Sequence, residues 1–150
     1  MAYKTKIVNW SSYAKDIKLI REKVFICEFR ISPEIEFDNN DGNSEHVLLR
    51  DNDIPIATGR ICENGKISRI AVLMKYRNTD ASNKVVKMLL DIARRKGLKE
   101  VYIDSDLAEV NDFKNQGFKV AGSVFMESGV AKQPLVCSLS NFKCNKSILH

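Results

Sequence analysis

Residues that bind metals or form disulfides are scarce in this sequence of 150 residues, which has four cysteines and two histidines. Cys27, Cys62, Cys137 and Cys144 form no Cys-x-x-Cys pair, so no zinc or other metal site is expected. The cysteines are expected to be free thiols of a protein in the reducing cytoplasm. Cys27 falls on the apolar face of a predicted helix, where a packed thiol is expected rather than a nucleophile.

Long apolar runs are also absent, and the first ten residues contain no apolar signal core. The sequence therefore predicts no membrane span and no secretion signal. Its length and its 44% hydrophobic content predict a single domain over residues 1–150.

The net charge of +5 suits a polyanionic small ligand. The longest basic run, Arg94-Arg95-Lys96, ends a predicted helix and complements its dipole, so nucleic acid is not an expected partner.

A strand, a loop and a helix are predicted in succession over residues 67–93. The apolar run at 70–73 predicts a strand covered on both faces, and the polar residues 74–79 predict a loop. Gly97 stands where a left-handed residue would end the helix. The apolar helix positions, which follow the 3.6-residue period, are Ala81, Val85, Met88, Leu89, Ile92 and Ala93. Such a unit directs backbone N–H groups at one spot, which suits an anion such as pyrophosphate.

The segments RIAVL at 69–73 and YRNTDAS at 76–82 resemble the acetyl-coenzyme A motif of the GNAT acetyltransferases. That motif reads Arg or Gln, two residues, Gly, one residue, then Gly or Ala. On this chain the arginine is Arg77, while Asp80 and Ser82 occupy the two glycine positions. A Cβ at those positions crowds a phosphate, and Asp80 is also suited to cap its own helix.

The resemblance implies that acetyl-coenzyme A is the acyl donor and that no metal takes part. Backbone groups of the strand would hold the pantetheine arm and face the thioester carbonyl, and the following loop would receive the pyrophosphate. The cofactor-binding residues implied in this way are Ile70, Ala71, Val72, Arg77, Asn78, Thr79, Asp80, Ala81 and Ser82.

The remaining pattern predicts the element order β-α-β-β-β-α-β-α-β-β, which is the GNAT order. This is an α/β (α+β) fold with a mixed, mostly antiparallel central sheet and helices on both faces. The first strand spans 3–10, and Ser11 or Ser12 is expected to cap a helix that runs to Arg30. The strand at 98–104 should pair in parallel with the strand at 67–73, because a helix crosses between them. A final hairpin is predicted within 118–140, followed by a polar tail at 141–150.

A second resemblance, to the ElaA-like branch of the GNAT family, covers REKVFICEFRISPEIEFDNND at 21–41. Glu28 and Asp38 fall where that branch keeps acids. For Glu28, a solvated helix end remains open as the alternative, and for Asp38 a solvated polar loop is expected. His46 matches a branch histidine on a strand, for which a packing role is expected rather than catalysis.

The expected catalytic positions depart from the family pattern. The family's tyrosine, which would protonate the leaving thiolate, is Phe113 here. Where the branch tends to have histidine, after the stretch that begins at Glu127, this chain has Lys132. Glu28 and Glu127 remain the candidates for the base that serves the amine. These departures indicate a drifted active site.

Two functions therefore stay open. The first is an acetyl-coenzyme A-dependent N-acetyltransferase that acts on a primary amine of a small molecule. The alternative is a catalytically degenerate GNAT-fold binding or regulatory module. A homodimer is compatible with either.

Overall fold

One mixed β-sheet organises the computed structural model, which describes residues 3–77 and 79–140. Across the sheet the strand order is β1-β2-β3-β4-β5-β8-β6, and β7 pairs separately with β8. The described strands are β1 Lys4–Val8, β2 Glu45–Asp51, β3 Ile54–Ile61, β4 Lys66–Val72, β5 Glu100–Asp106, β6 Lys119–Val120, β7 Phe125–Glu127 and β8 Val130–Ser138. Only the β4–β5 pair is parallel within this described sheet, as the crossover helix predicts.

The helices lie on both faces of the sheet, which confirms the predicted architecture. They are α1 Trp10–Arg21, α2 Pro33–Glu36, α3 Ala81–Arg95 and α4 Val110–Asn115. Helix α1 buries Ile17 and Ile20 against Leu48 on one face. Helix α3 buries Val85 and Leu89 on the opposite face, since β2 side chains alternate between the two cores. Gly97, at φ +76°, follows α3 as the sequence predicts.

Gly59 allows α3 to approach the sheet closely. A Cβ at this position would lie 2.5 Å from Val85 Cγ1 and 2.9 Å from Leu89 Cδ1. The glycine faces a β-bulge where the β3–β4 register shifts, and Arg69 at the bulge has a φ of +55°. The bulge and the close contact together fix the start of α3 relative to the end of β4.

Helix α1 differs from its prediction at both ends. Its N-cap is Asn9, whose side chain accepts from Ser12 N at 2.8 Å, so the prediction of Ser11 or Ser12 was wrong. Beyond Arg21 the chain continues as a π-helical segment, Glu22–Glu28, rather than as an α-helix to Arg30. The wider turn rotates the later residues, and Cys27 is consequently exposed rather than packed.

The C-terminal part forms two short hairpin arms on one long strand instead of the single predicted hairpin. Strands β6 and β7 pair successively along the outer edge of β8, whose other edge pairs with β5. Ser128 and Gly129, both at positive φ, make the tight turn between β7 and β8. The predicted polar tail and Cys144 lie outside the described residues.

Candidate active site

Strands β4 and β5 separate at the centre of the sheet. Within the described chain they pair at Lys66–Tyr102 and Ile67–Ile103, and β4 then continues to Val72 without β5. The N–H of Leu73 donates to Ile56 O on the β3 side at 2.9 Å. Because backbone groups alternate in direction along a strand, the N–H and C=O of Val72 face the opened β5 side. Ile70 faces the same way by the same alternation.

A cleft of about 1220 Å³ occupies this opening. One wall consists of β4 and the start of α3, and the other consists of β5 and α4. An apolar rim is formed by residues of the π-helical segment, of α2 and of the turn between them: Phe25, Phe29, Ile31 and Ile35. The cleft therefore places an unpaired strand edge, a helix N-terminus and an apolar rim around one space.

The loop before α3 is organised by Thr79 rather than by Asp80. Thr79 Oγ1 donates to Tyr76 O at 2.6 Å and accepts from Ala81 N at 3.3 Å. Asp80 makes no side-chain cap, and its carboxylate lies 3.6 Å from Lys84 Nζ. The expectation that Asp80 caps its own helix was therefore wrong. Ser82 lines the cleft, Ala81 is buried at the first turn, and Asn78 lies outside the described residues.

Arg77 and Glu28 face each other and form a bidentate ion pair. Arg77 Nη1 and Nη2 lie 2.5 Å and 2.8 Å from the two oxygens of Glu28, and Arg77 Nε donates to Val72 O at 3.1 Å. The hydrogen bond from Arg77 lowers the pKa of Glu28 despite partial burial. Glu28 is therefore a carboxylate with an occupied partner, which makes it a weak proton acceptor in this arrangement.

Phe113 is buried in the core beneath the cleft. Its ring packs edge-to-face on Phe118 with centroids 5.3 Å apart, and 9% of the residue remains exposed. Nearby, Gln116 Nε2 donates to Asn83 Oδ1 at 2.9 Å and so links α4 to the first turn of α3. No phenol is available at this position to protonate a thiolate.

Glu127 and Glu109 lie at the β5 end of the cleft. Glu127 is exposed on β7, and the neighbouring Lys132 is paired with Asp106 at 2.5 Å. The sequence-based prediction did not include Glu109, which is an exposed residue that lines the cleft. Partial desolvation raises the pKa of Glu109, and repulsion from Asp106 adds to the effect.

A buried network of three arginines and three carboxylates lies beneath the end of the cleft opposite Glu127 and Glu109. Arg21 contacts Glu36 at 2.6 Å and Asp41 at 2.7 Å. Arg60 contacts Asp38 at 2.8 Å and Asp41 at 3.0 Å. Arg69 completes the network by contacting Glu36 at 3.3 Å and Asp38 at 3.2 Å. The positive and negative charges are equal in number, and the network fastens residues 31–44 to β3 and β4.

Asp38 is therefore not the solvated loop residue that the sequence predicts. Burial alone would raise its pKa, but hydrogen bonds from Arg60 and from Asn40 N lower the pKa to about 2. The two arginines that contact Asp38, Arg60 and Arg69, are 22 and 31 residues away along the chain, so no local pattern could reveal them. The available signals were the acids of the PEIEFDNND segment and the resemblance to a branch that keeps an acid at the position of Asp38.

His46 has a packing role, as expected. It is fully buried, its ring lies 5.4 Å from that of Trp10, and Nε2 is 3.0 Å from Asp41 O. Burial lowers the pKa of His46, which favours the neutral ring.

The described residues, 3–77 and 79–140, contain no group of three metal-ligating side chains suited to a metal ion. In the same part of the chain, no helix is long and apolar enough to cross a membrane.

The chain belongs to the GNAT family, because the family model described as an acetyltransferase (GNAT) domain matches residues 15–139. An uncharacterised N-acetyltransferase of Bacillus subtilis, YjcF, is 28% identical over 131 residues, which cover 85% of this chain and 94% of that protein.

Two solved structures share the fold. A Lactobacillus plantarum protein provisionally named an N-acetyltransferase aligns with a TM-score of 0.84 and 21% identity, covering 93% of this chain and 99% of that one. Escherichia coli ElaA aligns with a TM-score of 0.81 and 21% identity, covering 91% of this chain and 100% of that one. At this identity the structural likeness concerns the fold, whereas the family match supports acyltransferase activity in general.

Proposed function

We propose that the protein is an acetyl-coenzyme A-dependent N-acetyltransferase that acts on the primary amine of a small molecule. The observation that carries this proposal is the unpaired edge of β4, which faces the cleft at Ile70 and Val72. An N–H donor held on a rigid strand can polarise a thioester carbonyl without reorganising during the reaction. The start of α3, with Thr79 and Ser82 on the cleft, would receive the pyrophosphate.

Acyl transfer also requires a deprotonated amine. Glu28 is occupied by Arg77, so we favour Glu127 over Glu28 for this role, and Glu109 as a second candidate. The pKa of Glu109 is raised, which makes its carboxylate a stronger proton acceptor than an ordinary one. The amine nitrogen attacks the thioester carbon, the carbon–sulfur bond breaks, and the amine's proton passes to the carboxylate or to water. The thiolate leaves without a tyrosine donor, because Phe113 occupies that position.

The second candidate function, a non-catalytic binding module, is favoured by the same Phe113 and by the closed Arg77–Glu28 pair. Such a protein would bind the coenzyme A thioester and transfer nothing. The two functions share the donor site and differ only in turnover.

The test is thiol release from acetyl-coenzyme A in the presence of a panel of primary amines, with acetylated products identified by mass spectrometry. The enzyme proposal predicts amine-dependent release, reduced by about 10²-fold or more in Glu127→Gln or Glu109→Gln. Glu34→Gln, an exposed change on α2, is the matched control and should leave the rate unchanged. Tight binding of acetyl-coenzyme A without turnover on any amine would support the binding module instead.

A further inference from the structure

The side chain of Arg77 is partly buried and is bonded to two other segments of the chain. Its Nε donates to Val72 O, and its two terminal nitrogens contact both oxygens of Glu28. A guanidinium that binds a carboxylate in this parallel manner is held in orientation as well as in position. Arg77 therefore connects the end of β4 to the last residue of the π-helical segment.

The carbonyl that Arg77 contacts belongs to the open edge of β4. Val72 lies five residues beyond Ile67, the last residue of β4 that pairs with β5. A backbone carbonyl that has lost its strand partner requires another donor, and Arg77 Nε supplies one. The guanidinium thus takes over the hydrogen bond that a continuing β5 would have provided.

We propose that Arg77 is a positioning residue for the acyl donor rather than a ligand of its phosphates. By joining Val72 to Glu28, it keeps the edge of β4 open, so that the neighbouring N–H groups remain available to the thioester. We call the contacts that join Val72, Arg77 and Glu28 the brace. Glu28 is as necessary to it as Arg77. The inference rests on the proposed function, because it concerns the same donor site.

The brace and a phosphate-binding role predict opposite effects of removing the Glu28 carboxylate on the affinity for acetyl-coenzyme A. If Arg77 bound the phosphates, it would first have to leave Glu28, and removing that carboxylate would strengthen binding. If Arg77 acts as a brace, removing the Glu28 charge loosens the β4 edge and weakens binding. If Arg77 bound the phosphates, its removal would also weaken binding of the nucleotide part alone. If Arg77 is part of the brace, its removal weakens only the binding of the pantetheine and thioester part.

Isothermal titration would compare acetyl-coenzyme A with the phosphoadenosine diphosphate part of coenzyme A, which lacks the pantetheine arm. The brace predicts that Arg77→Ala and Glu28→Gln each raise the Kd for acetyl-coenzyme A by about ten-fold. The double variant should lose no more than either single variant, because both disrupt one interaction. The Kd for the nucleotide part should change by less than about two-fold in all three.

Two exposed neighbours provide controls. Lys75→Ala removes a positive charge beside Arg77, and Glu22→Gln removes a carboxylate from the π-helical segment. Both should leave the Kd for acetyl-coenzyme A unchanged. Arg77→Lys keeps the charge but cannot form the bidentate pair, so it should behave like Arg77→Ala. It also serves as the second variant if Arg77→Ala fails to fold.

Tighter binding by Glu28→Gln, or equal weakening of both ligands by Arg77→Ala, would overturn the brace. Normal binding by every variant would overturn it as well and would leave the proposed function intact. A wild-type protein with no affinity for acetyl-coenzyme A would overturn both proposals, so the two failures are distinguishable.

Discussion

The two loops that border the cleft are held in different ways. The loop at residues 31–44 is fastened from below by a buried network in which every charged group has a partner. The loop between β4 and α3 is held by the ion pair of Arg77 with Glu28, by local contacts of Thr79 and by an i,i+4 pair between Asp80 and Lys84. In the first loop the charged groups are therefore already neutralised by one another. The second loop leaves backbone N–H groups at the start of α3 available to a ligand.

Breaking the buried network should have the largest effect. Arg21→Met leaves Glu36 and Asp41 buried without one of their partners, and we expect a loss of about 3–5 kcal/mol in the free energy of unfolding. Urea denaturation measures this loss. Arg50→Met, which removes a half-exposed pair with Asp16, should lose no more than about 1 kcal/mol. Similar losses in both variants would show that the network does not fasten the loop.

Adding a methyl group at Gly59 tests whether packing of α3, rather than contacts within the loop, positions the second loop. The new Cβ would meet Val85 and Leu89, and we expect Gly59→Ala to lower the free energy of unfolding by about 1–3 kcal/mol. Gly42→Ala is the matched control, because nothing lies within 4 Å of its added Cβ. Equal stability of the two variants would contradict the close-contact account.

The pH dependence of stability isolates one carboxylate of the network. Since the pKa of Asp38 is lowered to about 2 in the folded protein, its contribution is present above its ordinary pKa of 3.8 and is lost as the pH falls toward 2. Asp38→Asn should cost about 1–2 kcal/mol at pH 6, and this difference should vanish near pH 2. Urea denaturation at several pH values measures it. A difference that stays constant with pH would mean that packing, not charge, is responsible.

The smallest effect is expected at Asp80, whose carboxylate stands at one of the two glycine positions of the family motif. Lys84 lies 3.6 Å away and offsets much of that charge. Asp80→Gly should therefore increase the affinity for acetyl-coenzyme A by only about two- to five-fold, decreasing further with added salt. Asp80→Asn, which keeps the Cβ, separates charge from crowding in the same titration. A gain of a hundred-fold would show that Lys84 does not neutralise the carboxylate.

Local patterns predicted most of the fold, because strand and helix periods depend on near neighbours. The central unit from β4 to α3 and the parallel β4–β5 pair were correctly predicted from apolar spacing and the crossover rule. The π-helical segment was missed because a single wider turn leaves little trace in sequence. Its consequence, the exposure of Cys27, was missed for the same reason.

The candidate site was less predictable, since its contacts join distant residues. Glu28 and Arg77 were each singled out, but their 49-residue separation hid the fact that they pair with each other. The same holds for the network beneath residues 31–44. Sequence identifies such residues by type, whereas only the fold shows which charges are already satisfied.

The central claim is that the open edge of β4 receives the acyl donor. Amide NMR spectra of the labelled protein, recorded with and without saturating acetyl-coenzyme A, test it most directly. We predict large shifts and slowed hydrogen exchange at the N–H groups of Ile70 and Val72, with the paired strand β2 unaffected. Saturation of the protein without any change at these two amides would contradict it.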